Sequence, residues 1–216
     1  MAITNSDIPH VGAGTGGGDW LRRYWLAVGT TKELYDIPQA VRVLGEDLVL
    51  FRDLKGALGL LGRSCAHRGT SLEYGDIEER GIRCPYHGWL YDVSGRCLEQ
   101  PSETKASEFC HKVRQGSYPV REQGGLIFAY MGPPDEIPEF PYYDSIDLPD
   151  HELLPYSIHS SSNWLQESEN SMDPFHSVFL HARHAGPQFA GLEHFAALPV
   201  VAYHKRDTGF VYSHAR

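Results

Sequence analysis

No stretch of this chain approaches the roughly eighteen uninterrupted apolar residues of a membrane-spanning helix, and a bilayer span is excluded on that ground. The first residues lack the basic-then-apolar pattern of a secretory leader, so a cytoplasmic location is expected. An excess of cations is also missing: 19 Lys and Arg face 28 Asp and Glu, a formal charge of −9. Nucleic acid and anionic membranes need a basic surface, so neither is an expected partner. Cysteine is scarce, at four in 216 residues. Cys97 and Cys110 stand outside any motif and are expected to be free and packed, as thiols are in a reducing compartment. The remainder, 41% hydrophobic and 22% charged, is ordinary globular material for one or two domains.

Helical periodicity is absent from about residue 38 to 131, where short apolar runs alternate with turn signals. VRVLGEDLVLFRD (41–53) reads as a hairpin about Gly45-Glu46-Asp47, WLYDVSGRCLE (89–99) as a second turning at Ser94-Gly95, and YPVREQGGLIFAYMG (118–132) as a third about Gln123-Gly124-Gly125. Residues 132–155 hold six of the fourteen prolines and read as a linker. Beyond them, residues 161–184 read as helical, with Ser161 or Ser162 available as a cap and Pro174 forcing a kink or restart. GAGTGG (12–17) satisfies G-x-G-x-x-G, but ITNSDIPHV before it is a poor strand; a flexible N-terminal arm is the better account.

Four residues carry the most specific chemical signal. Cys65 and His67 form Cys-x-His, and Cys84 and His87 form Cys-x-x-His, each in a glycine-flanked loop. Two thiolates and two imidazoles suit a [2Fe–2S] cluster whose irons take one pair each. The same four could close a tetrahedral zinc shell, but common zinc fingers group Cys with Cys and His with His, so the mixed pairs favour the cluster.

CAHRG (65–69) and CPYHGW (84–89) resemble the Rieske motifs of ring-hydroxylating oxygenases. The resemblance implies that Cys65 and Cys84 bind the buried iron and that His67 and His87 bind the outer one. Respiratory Rieske proteins carry an extra Cys in each loop, joined as a disulfide. Thr70 and Tyr86 stand at those positions here, which implies a low-potential, soluble type.

Asp173, His176 and His181 form D-x-x-H-x-x-x-x-H. Two imidazoles invite comparison with the 2-His-1-carboxylate triad of non-haem iron. Residues five apart lie roughly 140° from a common face on an ideal helix, so both reach one metal only if the helix bends or ends between them. Polar side chains at a helix end, with Asp173 as an N-cap before Pro174, are the plainer account of the same residues.

The run from Asn170 to His181 resembles the mononuclear-iron motif of the Rieske oxygenase α subunit, closest to its phthalate-dioxygenase-like branch. That resemblance implies an α+β chain: an all-β Rieske domain (38–145), preceded by an arm and aromatic segment (1–37) and followed by the beginning of a helix-grip-type catalytic domain (146–216). It implies iron on His176 and His181, with Asp173 bridging a Rieske His of a neighbouring subunit to an iron-ligating His in a homotrimer. Electrons would come from NAD(P)H through a reductase or ferredoxin, and O₂ would be used to hydroxylate or O-demethylate a small aromatic compound. A Rieske electron carrier without catalysis is the alternative. The family's carboxylate ligand comes from far C-terminal sequence; Glu193 and Asp207 are the only later acids here and neither resembles it. The chain is therefore expected to be a fragment.

Overall fold

The computed structural model describes residues 7–104, 107–146, 148–184, 197–207 and 209–215. They fall into two compact units, residues 1–159 and 160–216.

The first unit is built on antiparallel sheets. Strands β2 (Gln39–Val43), β3 (Glu46–Arg52) and β4 (Leu58–Gly62) form a meander completed by β9 (Ser117–Tyr118). Four consecutive apolar residues in β3, Leu48 to Phe51, are all buried. Such a run marks a strand covered on both faces. Leu48 and Leu50 join Leu60, Ile127 and Met131 in one core, whereas Val49 and Phe51 join Leu61, Leu72, Ile82, Trp89 and Tyr91 in another.

The first core is closed by β1 (Trp25–Thr30), β10 (Val120–Gln123) and β11 (Leu126–Tyr130), in the order β1-β11-β10. The second is closed by β5 (Asp76–Glu78), β6 (Gly81–Arg83), β7 (Leu90–Tyr91) and β8 (Cys97–Glu99), paired in sequence. The β2–β3 hairpin pairs Val43 with Glu46 and so turns at Leu44-Gly45, slightly earlier than the sequence suggests. The turns at Ser94-Gly95 and Gly124-Gly125 stand where the turn residues place them.

Two expectations are corrected. The glycine-rich segment is not a loose arm: it leads into α1 (Gly16–Leu21), capped by the Thr15 hydroxyl, which accepts from Gly18 N at 3.1 Å. Arg22 then donates to Val11 O (2.7 Å), Leu44 O (3.0 Å) and Glu46 (2.8 Å), so a buried guanidinium ties this segment to the β2–β3 hairpin. The proline-rich stretch is likewise a strap rather than a free tether. Phe140 and Tyr143 pack on Phe128 at 5.0 and 6.0 Å, and Phe140 meets Trp25 at 5.5 Å. These aromatic contacts hold a proline-rich backbone that forms few ladder hydrogen bonds.

In the second unit, α2 (Trp164–Ser171) is capped by Asn163, whose Oδ1 accepts from Leu165 N at 3.0 Å. The expected cap residue Ser162, with Ser160, instead donates to Glu167. A break at residues 172–175 is followed by a π turn, Ser177–His181, and by α3 (Ala182–His184). Strands β12 (Val200–Arg206) and β13 (Gly209–Ala215) form a hairpin with unbroken register. No helix among the described residues is long and apolar enough to cross a membrane.

Candidate metal centres

The two Cys/His loops are closed in the same way. Cys65–Gly69 follows β4, and Gly69 N donates to Cys65 O at 2.8 Å while Cys65 N donates to Thr70 O at 2.9 Å. Cys84–Gly88 joins β6 to β7, and Gly88 N donates to Cys84 O at 3.0 Å while Cys84 N donates to Trp89 O at 2.8 Å. Both turns end on glycine at positive φ, +74° at Gly69 and +72° at Gly88, a conformation that costs a residue with a Cβ about 1 kcal/mol or more. The shared closure sends both cysteines inward, each 3% exposed, and leaves both histidines half-buried.

The donors meet in like pairs, imidazole with imidazole and thiol with thiol. The His67 and His87 rings lie 4.6 Å apart, His67 stacks on Trp89 at 4.4 Å with an interplanar angle of 5°, and Tyr86 packs on His87 at 3.9 Å. Burial and the facing His87 lower the His67 pKa, so this imidazole is held neutral with a lone pair to offer. Its Nδ1 is buried and has no hydrogen-bond partner. Burial raises the Cys84 thiol pKa and Cys65 adds to the rise, while the Tyr86 and His87 backbone N–H groups oppose it. The Cys65 sulfur lies 3.2 Å from the Tyr91 hydroxyl. An orphaned imidazole nitrogen beside paired thiols is what a metal group would satisfy. Among the described residues no three His, Cys, Asp or Glu side chains converge closely enough to hold a single ion.

In the second unit the π turn resolves the spacing of His176 and His181. Its i→i+5 hydrogen-bonding pattern brings residues five apart back toward one side, and the two rings stand 5.0 Å apart at 70°. Asp173 divides its two oxygens: Oδ1 accepts from Phe175 N at 2.8 Å, capping the restart, and Oδ2 lies 3.8 Å from His176 Nδ1. That separation is too long for a hydrogen bond, and His176 Nδ1 is buried without one. Tyr203 and Tyr212 from the β-hairpin each donate at 3.3 Å to the closing carbonyls of α2, Met172 O and Ser171 O. Asp207 sits in the β12–β13 turn and Glu193 lies outside the described residues; no third ligand joins the two imidazoles among the residues described.

Residues 24–119 match the model of the Rieske [2Fe-2S] domain. The chain is 50% identical over 182 residues to the oxygenase subunit of a tert-butanol monooxygenase / tert-amyl alcohol desaturase from Aquincola tertiaricarbonis, covering 84% of this chain and 39% of that protein. It is 48% identical over 216 residues to the phenoxybenzoate dioxygenase subunit alpha of Ectopseudomonas oleovorans, covering 94% and 52%. The chain belongs to the Rieske oxygenase α subunits, in the phthalate-dioxygenase-like group. It spans about half the length, or less, of these curated relatives. Among solved structures, NdmA of Pseudomonas putida CBB5 is similar with a TM-score of 0.69 and 26% identity, over 90% of this chain and 59% of that one.

The Rieske domain steadies its loops with residues that carry no motif. Gln115, 5% exposed, accepts from Ala66 N at 2.8 Å and donates to Gly62 O (2.6 Å) and Ser64 O (2.9 Å), clamping both sides of the first loop. Arg83 donates to Gly88 O at 2.6 Å in the second loop, and to Glu78 and Glu99. Asp92 organises the β7–β8 turn by accepting from Ser94 N, Ser94 Oγ, Arg96 N and Arg96 Nε at 2.7–2.9 Å. Only Arg83, next to Cys84, had a sequence position that hinted at such a role; Gln115 lies about fifty residues from the loop it holds.

Proposed function

We propose that this chain works in a terminal oxygenase component, accepting electrons at the Cys65, His67, Cys84 and His87 site and delivering them for O₂ chemistry at His176 and His181. Residues 38–145 would form the cluster domain and 146–216 the first part of the mononuclear-iron domain. The orphaned, buried Nδ1 of His67 beside two inward thiols carries the first half of the reading. The π turn that faces His176 with His181 carries the second. When bound, a [2Fe–2S] cluster supplies one-electron transfer and a mononuclear Fe(II) supplies O₂ activation.

The chain's own residues do the placing. Half-buried His67 and His87 form the accessible side of the first site, where a reductase or ferredoxin carrying electrons from NAD(P)H would approach. Cys65 and Cys84 hold the opposite side in an apolar core, and Trp89 keeps the His67 ring in one orientation. Asp173, with Oδ1 engaged by the backbone and Oδ2 free to face an imidazole, is suited to orient His176 and to accept a hydrogen bond from a histidine of a neighbouring subunit in a trimer. The phenoxybenzoate relative favours an aromatic substrate by its name, and the tert-butanol relative makes a tertiary alcohol the control compound.

Metal analysis of the loaded chain decides between readings. About three irons and two acid-labile sulfides per chain, with a reduced-state EPR signal of mixed His/Cys ligation, are expected. Two irons would leave an electron carrier, and one zinc without sulfide would refute the cluster. In a full-length relative, Asp173→Ala should keep both metals and lose turnover; loss of the cluster instead would assign Asp173 a structural role.

A further inference from the structure

Cys97 and Cys110 belong to neither metal centre, yet the fold brings them to one place. Cys97 begins β8 and is 3% exposed, and Cys110 lies half-buried in the 3₁₀ turn Phe109–Lys112, packed against the same core. The backbone links them closely: Cys97 N donates to Val113 O at 3.4 Å, and Val113 N donates to Cys110 O at 3.1 Å. Both residues line one surface cleft of about 260 Å³, whose rim carries Arg80, Arg96, His111 and Arg114.

The neighbouring recess, also lined by Cys110, contains Gln100. That side chain is 9% exposed, and neither Nε2 nor Oε1 has a hydrogen-bond partner. Leaving both ends of a buried amide unpaired is unfavourable. Gln100 lies near enough to Cys97 to oppose the burial that pushes its thiol up to about 11, without reaching hydrogen-bond geometry. A small polar guest bearing oxygen would satisfy the amide beside the two sulfurs.

We propose that Cys110 and Cys97 form a peroxide-reactive dithiol, with Cys110 the sulfur attacked first and Cys97 the resolving thiol. Cys110 Sγ attacks one oxygen of hydrogen peroxide; the O–O bond breaks, an S–O bond forms, and one water leaves. Cys97 Sγ then attacks the Cys110 sulfur; the S–S bond forms as the S–O bond breaks, and the second water leaves. Two thiols lose two electrons in all, and one peroxide is reduced to two waters. The order follows exposure: Cys110 is half-buried and lines both recesses, whereas Cys97 is 3% exposed and its Sγ lies 3.6 Å from Glu99 O. Arg80 and Arg96 on the rim are paired with Glu99 and Asp92, so Arg114 is the rim cation placed to favour the negative charge that passes through sulfur and departing oxygen, and Gln100 can donate to the oxygen on Cys110. Both thiols line one cleft, and the backbone relay through Val113 joins the turn carrying Cys110 to the start of β8, the placement a bridge between them requires.

The test uses the cluster-loaded chain, treated with equimolar hydrogen peroxide, alkylated, digested without reductant and mapped by mass spectrometry. The expected result is a Cys97–Cys110 linked peptide lighter by two hydrogens, with visible absorbance of the cluster retained. In Cys97→Ser the oxidation should stop at a dimedone-trappable sulfenic acid on Cys110, and in Cys110→Ser Cys97 should stay alkylatable. Full alkylation of both thiols in the unmodified protein would overturn the proposal. So would linkage to Cys65 or Cys84 in its place, or equal oxidation of Cys97 in Cys110→Ser.

Discussion

The Cys/His loops of residues 65–88 and the His pair of residues 176–181 solve the same problem, bringing distant donors together, by opposite means. The first site is held from outside its own sequence. Gln115 clamps one loop, Arg83 ties the other to two carboxylates across the sheet, and Trp89 and Tyr91 brace one imidazole and one sulfur. The second is shaped mainly by its own few residues, a proline break, an aspartate cap and a π turn, with Tyr203 and Tyr212 reaching only the end of the preceding helix. A site fixed by many tertiary bonds resists perturbation until one buried clamp fails, whereas a site fixed locally can be retuned without touching the rest of the fold.

The sharpest way to break this contrast is Gln115→Leu. It keeps the volume and removes the partner of Ala66 N, Gly62 O and Ser64 O, of which only Gly62 is not exposed, so a loss of about 1–3 kcal/mol is expected, together with poorer cluster retention. Urea unfolding and sulfide content measure both; an unchanged midpoint would show that the loop holds itself. Pro174→Ala addresses the other site. A continuous helix would return His176 and His181 to roughly 140° apart, and metal affinity at that pair should fall by about tenfold or more, with unfolding of the 1–159 unit unchanged. A matched loss in both would mean that the two sites are coupled rather than independently built.

The smallest effect is acid sensitivity. Hydrogen bonding to Arg83 lowers the pKa values of Glu78 and Glu99 below their ordinary value of 4.5. Their pairing therefore stabilises the fold above pH 4.5, and that stability is lost as the pH falls through the lowered values. Both carboxylates are more than a third exposed, so at most about 1 kcal/mol is at stake. Arg83→Met should flatten stability against pH below 4.5, and an unaltered profile would remove this network from the account.

The candidate donors of both sites were legible in the chain because residue identity and spacing are local properties. Cys65, His67, Cys84 and His87 carry it in their residue types, and Gly69 and Gly88 mark the turns that no Cβ would tolerate cheaply. Alternation and turn residues likewise exposed the hairpins near Ser94-Gly95 and Gly124-Gly125, since a strand's period and a turn's φ requirement act within a few residues. The spacing of His176 and His181 showed that a regular helix would not serve, but not what would replace it.

Tertiary structure decided the rest. That α1 is pinned by Arg22, that the proline-rich stretch packs as a strap through Phe140 and Tyr143, and that Gln115 holds a loop about fifty residues away all depend on long-range pairings. The pairing of Cys97 with Cys110 in one cleft and the return of two histidines to one side by a π turn also appear only once the backbone is laid out. Local sequence fixes which groups can bind or react; which of them meet depends on burial and hydrogen bonds between residues far apart in the chain.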